Sequence, residues 1–336
     1  MSMPPLSPEA AALVKACRDW LAGRALAPLP AGVVAFAEQH RLAGALHHLG
    51  APMAAGDAAL AERAWAQNLA GHLARVGALG RLWPVSAPPP LVFKGADIGE
   101  RLFDDPGARA ANDLDLLLPS PDFEAVDAAL AGLRRRPAPR TERFAGEPPH
   151  AIGLATDDVL IELHREPQPP HRARLRAAEV YARAEAGRLG AVNVRWPTSR
   201  DRLLLWLTNQ AKDAFHSDLA ALLDLALILC ALGGEQAPLS VLRAEACEAG
   251  LGRSFDLGRV RLHQSGLWPW ALPLPKRRSV WRVARALPDV HTGRREPNQA
   301  RFQAIKLWLC APAARFAVLL RGAATVMRGG RPGPGR

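Results

Sequence analysis

"FKGADIGERLFDDPGARAANDLDLLL", residues 93 to 118, decides how the middle of the chain is read. Residues 91–95, "LVFKG", form a short apolar strand that ends in a glycine, and "ADIGERLF" supplies one or two helical turns. "DLDLLL" (113–118) is a second buried strand. Alternate side chains of a strand point the same way, so Asp113 and Asp115 share a face while Leu114 and Leu116 take the other. Two carboxylates this close repel unless a cation lies between them. A hard divalent ion such as Mg²⁺, held by oxygen ligands, is the usual solution. The plainer alternative is a strand-edge pair facing water, because Asp-x-Asp alone is common.

The surroundings add to the pair. "AIGLAT" (151–156) and "VLIELH" (159–164) flank Asp157-Asp158 and read as a β-hairpin. Glu162 shares its strand face with Leu160 and His164. If the hairpin pairs beside the Asp-x-Asp strand, Glu162 becomes a third acid, and three converging acids match a two-metal phosphoryl-transfer site. His164 either orients Glu162, contacts a phosphate or fills space. The strand-Gly-helix turn offers backbone N–H groups to an anion, Gly95 permits close backbone approach and Lys94 adds positive charge. Arg109 pairs either with a phosphate or with a carboxylate of the site. Asp224, in an apolar helix, is expected to be buried and paired with Lys212 or an arginine.

Outward from this core the pattern is helical. Residues 7 to 80 repeat apolar positions at three and four, with Ser7 as a first cap. Ser120 is read as the cap of a helix through "DFEAVDAALAGLRRR" (122–136). From 171 onward helices return, apart from a strand "AVNVRW" (191–196), and Thr198 with Asp201 opens "RDRLLLWLTNQAKDAF". The expected organisation is a helical region over 1–86, an α/β core over 87–196, a second helical region over 197–275 and a basic segment over 276–336. His40, His47 and His48 lack ligand spacing and read as surface or capping residues.

The chain has 336 residues, 49% of them hydrophobic, and a net charge of +11. Residues 276–336 carry +12 of it, leaving −1 for the rest, so the basicity belongs to the C-terminal segment. That segment reads as a solvated tail or as a contact for nucleic acid, an anionic surface or an acidic partner. Cys17, Cys230, Cys247 and Cys310 form no C-x-x-C pair and read as small buried residues in a reducing cytoplasm. No signal peptide and no apolar run of about 20 residues is visible.

The segment 93–118 resembles the core of the polymerase-beta-type nucleotidyltransferase superfamily. More closely, it is similar to an uncharacterised bacterial nucleotidyltransferase family with a Lys-Gly turn, an Arg shortly before Asp-x-Asp and a later acid-Leu-His segment. The resemblance covers residues 91–165 well and the helical flanks more loosely. It implies metal roles for Asp113 and Asp115, a metal or general-base role for Glu162 and nucleotide-phosphate binding near Lys94 and Gly95. The chain departs from the pattern at Ala96, at Arg165, in the longer Gly95-to-Asp113 spacing and in lacking a histidine near Asn209-Gln210.

The resulting expectation is an α+β fold, with a small mixed sheet of the nucleotidyltransferase type between N- and C-terminal helical regions. The expected activity is cytoplasmic transfer of a nucleoside monophosphate from an NTP to an unidentified hydroxyl or phosphate (of a small molecule, protein or RNA), with Mg²⁺ or Mn²⁺. Asp113, Asp115 and Glu162 are the expected metal ligands, with Lys94, Gly95, Arg109 and His164 on the nucleotide. The alternatives are an inactive nucleotide-binding scaffold of the same fold, favoured by Ala96, and an RNA-directed protein, favoured by the basic segment.

Overall fold

The computed structural model describes residues 6–132, 134–136, 150–156, 159–168, 173–215, 218–287, 289, 291, 304–306 and 308–309. Asp157-Asp158, Cys310 and most of the basic segment beyond residue 287 lie outside the described residues.

Four helices come first: α1 (Pro8–Leu21), α2 (Val33–Gln39), α3 (Ala43–His48) and the 28-residue α4 (Ala55–Leu82). Ser7 caps α1 by accepting from the Ala10 N–H at 3.2 Å, as its position predicts. The α/β part then runs β1 (Leu91–Phe93), α5 (Gly95–Ile98), β2 (Leu114–Leu117), α6 (Asp122–Ala129), β3 (Arg134–Arg136), β4 (Ala151–Thr156) and β5 (Val159–His164). It continues through α7 (Ala177–Arg183), β6 (Glu185–Leu189) and β7 (Val192–Trp196). The helices α8 (Ser199–Lys212), α9 (Leu219–Ala231), α10 (Leu239–Glu248), α11 (Gly252–Ser265) and α12 (Arg278–Ala286) follow.

The seven strands form one mixed sheet in the order β3-β4-β5-β2-β1-β7-β6, so the chain is α+β. β2 lies at its centre, antiparallel to β1 and parallel to β5. All four residues of β2 are buried, as a central strand covered on both faces requires. Leu114 and Leu116 face a layer with Val92, Ile161, Leu163, Phe123 of α6 and Ala78 and Leu79 of α4. Leu117 faces the other side, with Leu91, Phe93, Val180 of α7 and Leu205 of α8. The helices before and after the sheet share a third core, in which Leu13, Val33 and Leu46 pack with Leu207, Leu222, Phe255 and Val260.

Several local expectations are corrected. The helix read over 122–136 stops at Ala129, and residues 134–136 pair antiparallel with β4 as an edge strand. Ser120 is not its cap: the hydroxyl donates to Glu124 at 3.0 Å. β6 stands where helix was expected, turned onto β7 through Gly190, whose φ of +58° suits a tight hairpin. His40 is fully buried against Phe36 rather than at the surface, and Cys247 is exposed whereas Cys17 is buried. Among the described residues no helix is long and apolar enough to cross a membrane.

Candidate active site

The central strands bring the acids together by register. Phe93 of β1 stands opposite Asp115, and Asp115 stands opposite Glu162 of β5. Leu117 is opposite His164. Because Ile161 and Leu163 are packed in the other layer, Glu162 and His164 project on the same face as Asp115. Asp113 lies just ahead of β2, half-buried at the end of the strand.

The turn after β1 works differently from the expected glycine turn. The residue in the left-handed region is Lys94, with φ +58° and ψ −129°, a conformation that costs about 1–3 kcal/mol. Gly95 contributes space: a Cβ there would stand 2.9 Å from the Ala111 Cβ, so glycine lets the 110–113 loop close onto the turn.

From that turn Lys94 reaches across the site. Its Nζ donates to Asp115 Oδ1 at 2.5 Å and lies 3.9 Å from Glu162 Oε2. His164 Nε2 lies 2.9 Å from the same Asp115 oxygen and 3.4 Å from Glu162 Oε2, so one imidazole N–H bridges the two carboxylates. Phe93 packs edge-on against the His164 ring, with centroids 5.1 Å apart, and holds it in place. Burial would lower the Lys94 pKa, but the charges of Asp115 and Glu162 outweigh it and raise it. The hydrogen bond from His164 holds the Glu162 carboxyl down to about 2, against burial and with help from Lys94. Asp113 moves the opposite way: burial and the neighbouring Asp115 charge push it up to about 6, only partly offset by Lys94.

Asp115, Glu162 and His164 each offer one ligand atom, and these atoms lie within 4.8 Å of one another. Asp113 stands outside that set. Arg109 lines the same cleft but is engaged by Asp224 of α9, to which it makes two 2.8 Å bonds, and it donates to the Ala110 carbonyl. Of the partners weighed for Asp224, it is therefore an arginine, and the pair ties the loop before Asp113 to the C-terminal helices.

These residues border a cleft of about 290 Å³ between the sheet and the helices. Lys94, Gly95, Asp113, Asp115 and Glu162 line one wall, and Arg41, Asn209, Gln210 and Lys212 line the other. Arg41 comes from the turn after α2 and is paired with Asp218 at 2.7 Å. Behind the turn, Arg202 of α8 holds the buried Asp97 of α5 through two bonds of 2.6 and 2.8 Å. Sequence reasoning missed Arg41, Asp218, Asp97 and Arg202 as parts of this region. No spacing signals them, because their partners lie 177 and 105 residues away.

The donor set suits a hard divalent cation. Two carboxylates and one imidazole converge, with Asp113 beside them, and the burial and Asp115 charge that raise Asp113 are what a bound cation would offset. Lys94 already neutralises part of that charge.

No curated protein and no solved structure matches the chain. The model of a family described as uncharacterised nucleotidyltransferase matches residues 31–264, which takes in α2 to α4, the whole sheet, both walls of the cleft and the helices through α11. The chain belongs to this uncharacterised nucleotidyltransferase family.

Proposed function

We propose that the chain transfers a nucleoside monophosphate from an NTP to an acceptor hydroxyl or phosphate and releases pyrophosphate, in the manner of the polymerase-beta-type superfamily. The observation that carries this reading is the register Phe93–Asp115–Glu162, which gathers Lys94, two acids and His164 at one strand end beside Asp113.

A divalent cation, Mg²⁺ or Mn²⁺, held by Asp113, Asp115 and Glu162 would supply charge neutralisation for the triphosphate. His164 fixes the orientation of Asp115 and Glu162 through its Nε2 proton. Glu162, held ionised down to about 2, is a weak proton acceptor at neutral pH and suits ligation rather than general-base work. Lys94, brought to the site by its left-handed backbone, faces the incoming phosphates. Arg109 acts through position: its bonds to Asp224 hold the loop that presents Asp113. The acceptor oxygen attacks the α-phosphorus, a hydroxyl acceptor giving its proton to solvent, the bond to the β-phosphate oxygen breaks and pyrophosphate leaves with the electron pair.

The test is incubation with each labelled NTP, Mg²⁺ or Mn²⁺ and cell extract, comparing the native chain with Asp113→Ala. Label transfer by the native chain alone supports the reading and reveals the acceptor. Equal transfer by both removes the aspartate from the site.

A further inference from the structure

Two hydrogen-bond donors meet at one carboxylate oxygen of the cleft. Lys94 Nζ and His164 Nε2 both bond Asp115 Oδ1, at 2.5 and 2.9 Å, and both lie near Glu162 Oε2, at 3.9 and 3.4 Å. The ammonium and the imidazole therefore flank the same pair of acidic oxygens, the pair that a cation shared by Asp115 and Glu162 would take. A carboxylate oxygen offers about two lone-pair positions, and on Asp115 Oδ1 both are engaged. A divalent ion on that oxygen must displace one of the two donors.

The two differ in their freedom to leave. The His164 side chain is 2% exposed, and its ring is held by Phe93. The Lys94 side chain is 19% exposed, borders the cleft and carries its charge on a flexible four-carbon stem. Its ammonium is also the like charge that repels an arriving ion. We propose that the Lys94 ammonium is an internal counter-ion of Asp115 and Glu162, which a divalent cation displaces and which the triphosphate then receives, so that Lys94 couples metal binding to nucleotide binding; this rests on the transfer reading above. The nucleotide-free chain then binds divalent ions weakly, because the ion must expel the ammonium while the cleft holds no anion to receive it. A triphosphate supplies that anion, and by linkage each ligand strengthens the binding of the other.

The experiment titrates Mn²⁺ into the native chain, Lys94→Met, Lys94→Gln and Lys94→Arg, and reads free Mn²⁺ by electron paramagnetic resonance. Without nucleotide, Lys94→Met and Lys94→Gln should bind Mn²⁺ about tenfold or more tightly than the native chain, because a neighbouring like charge is worth that much at this range. Lys94→Arg keeps the charge and should stay near the native affinity. Adding Asp115→Asn to Lys94→Met should abolish the gain. Calorimetry with α,β-methylene analogues of the NTPs in Mn²⁺ should show about a tenfold loss of affinity in Lys94→Met and Lys94→Gln. Melting reports folding, and Mn²⁺ should raise the melting temperature of Lys94→Met more than that of the native chain. Mn²⁺ affinity that is unchanged or weaker in folded Lys94→Met and Lys94→Gln, with Mn²⁺ bound by the native chain, overturns the inference and leaves the transfer reading standing. Tighter Mn²⁺ binding with unchanged analogue affinity overturns the coupling. Mn²⁺ bound by none of these proteins, with or without the analogues, overturns both readings.

Discussion

Asp113 and Glu162 sit in the same cleft and are displaced in opposite directions, and each displacement has a consequence for stability. Asp113 titrates near 6 when folded and near 3.8 when unfolded, so the folded state holds more protons between those values. Its contribution is therefore fully present below about pH 4 and is lost as pH rises through 6. At pH 7 the ionised carboxylate costs up to about 3 kcal/mol in the metal-free protein. Asp113→Asn should then melt a few degrees higher than the native chain at pH 7 without metal, with the gap closing at pH 4. The same variant should lose transfer activity by about 10²–10³-fold. A scanning-calorimetry series over pH checks the first expectation, and a lower melting temperature for Asp113→Asn at pH 7 refutes it. Glu162 shows the opposite sign. Its folded value of about 2 lies below the usual 4.5, so its contribution is present above pH 4.5 and is lost as pH falls toward 2. Glu162→Gln should accordingly lower the melting temperature at pH 7 and lose that effect in strong acid.

The β1 turn and the 110–113 loop depend on each other at the level of elements. Gly95→Ala would drive a methyl to 2.9 Å from the Ala111 Cβ, and backbone on both sides limits relaxation. It should cost about 1–3 kcal/mol and displace Lys94 from Asp115. Adding Ala111→Gly should return most of the stability, read from urea midpoints; no recovery would mean the contact is not the cause. The Arg109–Asp224 pair makes the second element-level case. Asp224→Asn leaves a buried guanidinium half-satisfied and should destabilise by about 3–5 kcal/mol, whereas replacing both partners by leucine should cost much less.

The parts of this arrangement that were legible in the sequence share one property: an apolar period local to the segment. β2, β4, β5 and β7 carry Val, Ile or Leu among their residues, so strand and face followed from the local pattern, while the convergence of Asp115 with Glu162 was conditional on β5 pairing beside β2. β3 and β6 are "RRR" and "EAGRL", edge strands with too little apolar character to declare themselves. Lys94 as the left-handed residue was hidden because glycine is the default for that conformation. Arg41 and Arg202 were illegible for a different reason: their placement depends on acids more than a hundred residues away.

Whether the sheet can stand without the helices is a question for the whole molecule. Division at residues 87 and 196 assigns it a region of its own, but both of its faces are closed by helices outside those limits. Ala78 and Leu79 of α4 complete one layer, and Leu205 of α8 completes the other. Each leucine so buried contributes about 1.5–3 kcal/mol, against a total folding stability of about 5–15 kcal/mol. The same helices supply the polar closures: Arg202 of α8 satisfies Asp97, and Asp224 of α9 satisfies Arg109. A fragment of residues 87–196 therefore leaves two apolar faces and two buried charges without partners. It should melt without a cooperative transition and bind an apolar dye, while the full chain melts sharply and does not. Restoring residues 55–86 and 197–231 should bring back cooperativity, because both layers and both ion pairs are then complete. A sharp melt of the 87–196 fragment alone would show that the sheet carries its own stability and that the cleft walls are additions to it rather than conditions of it.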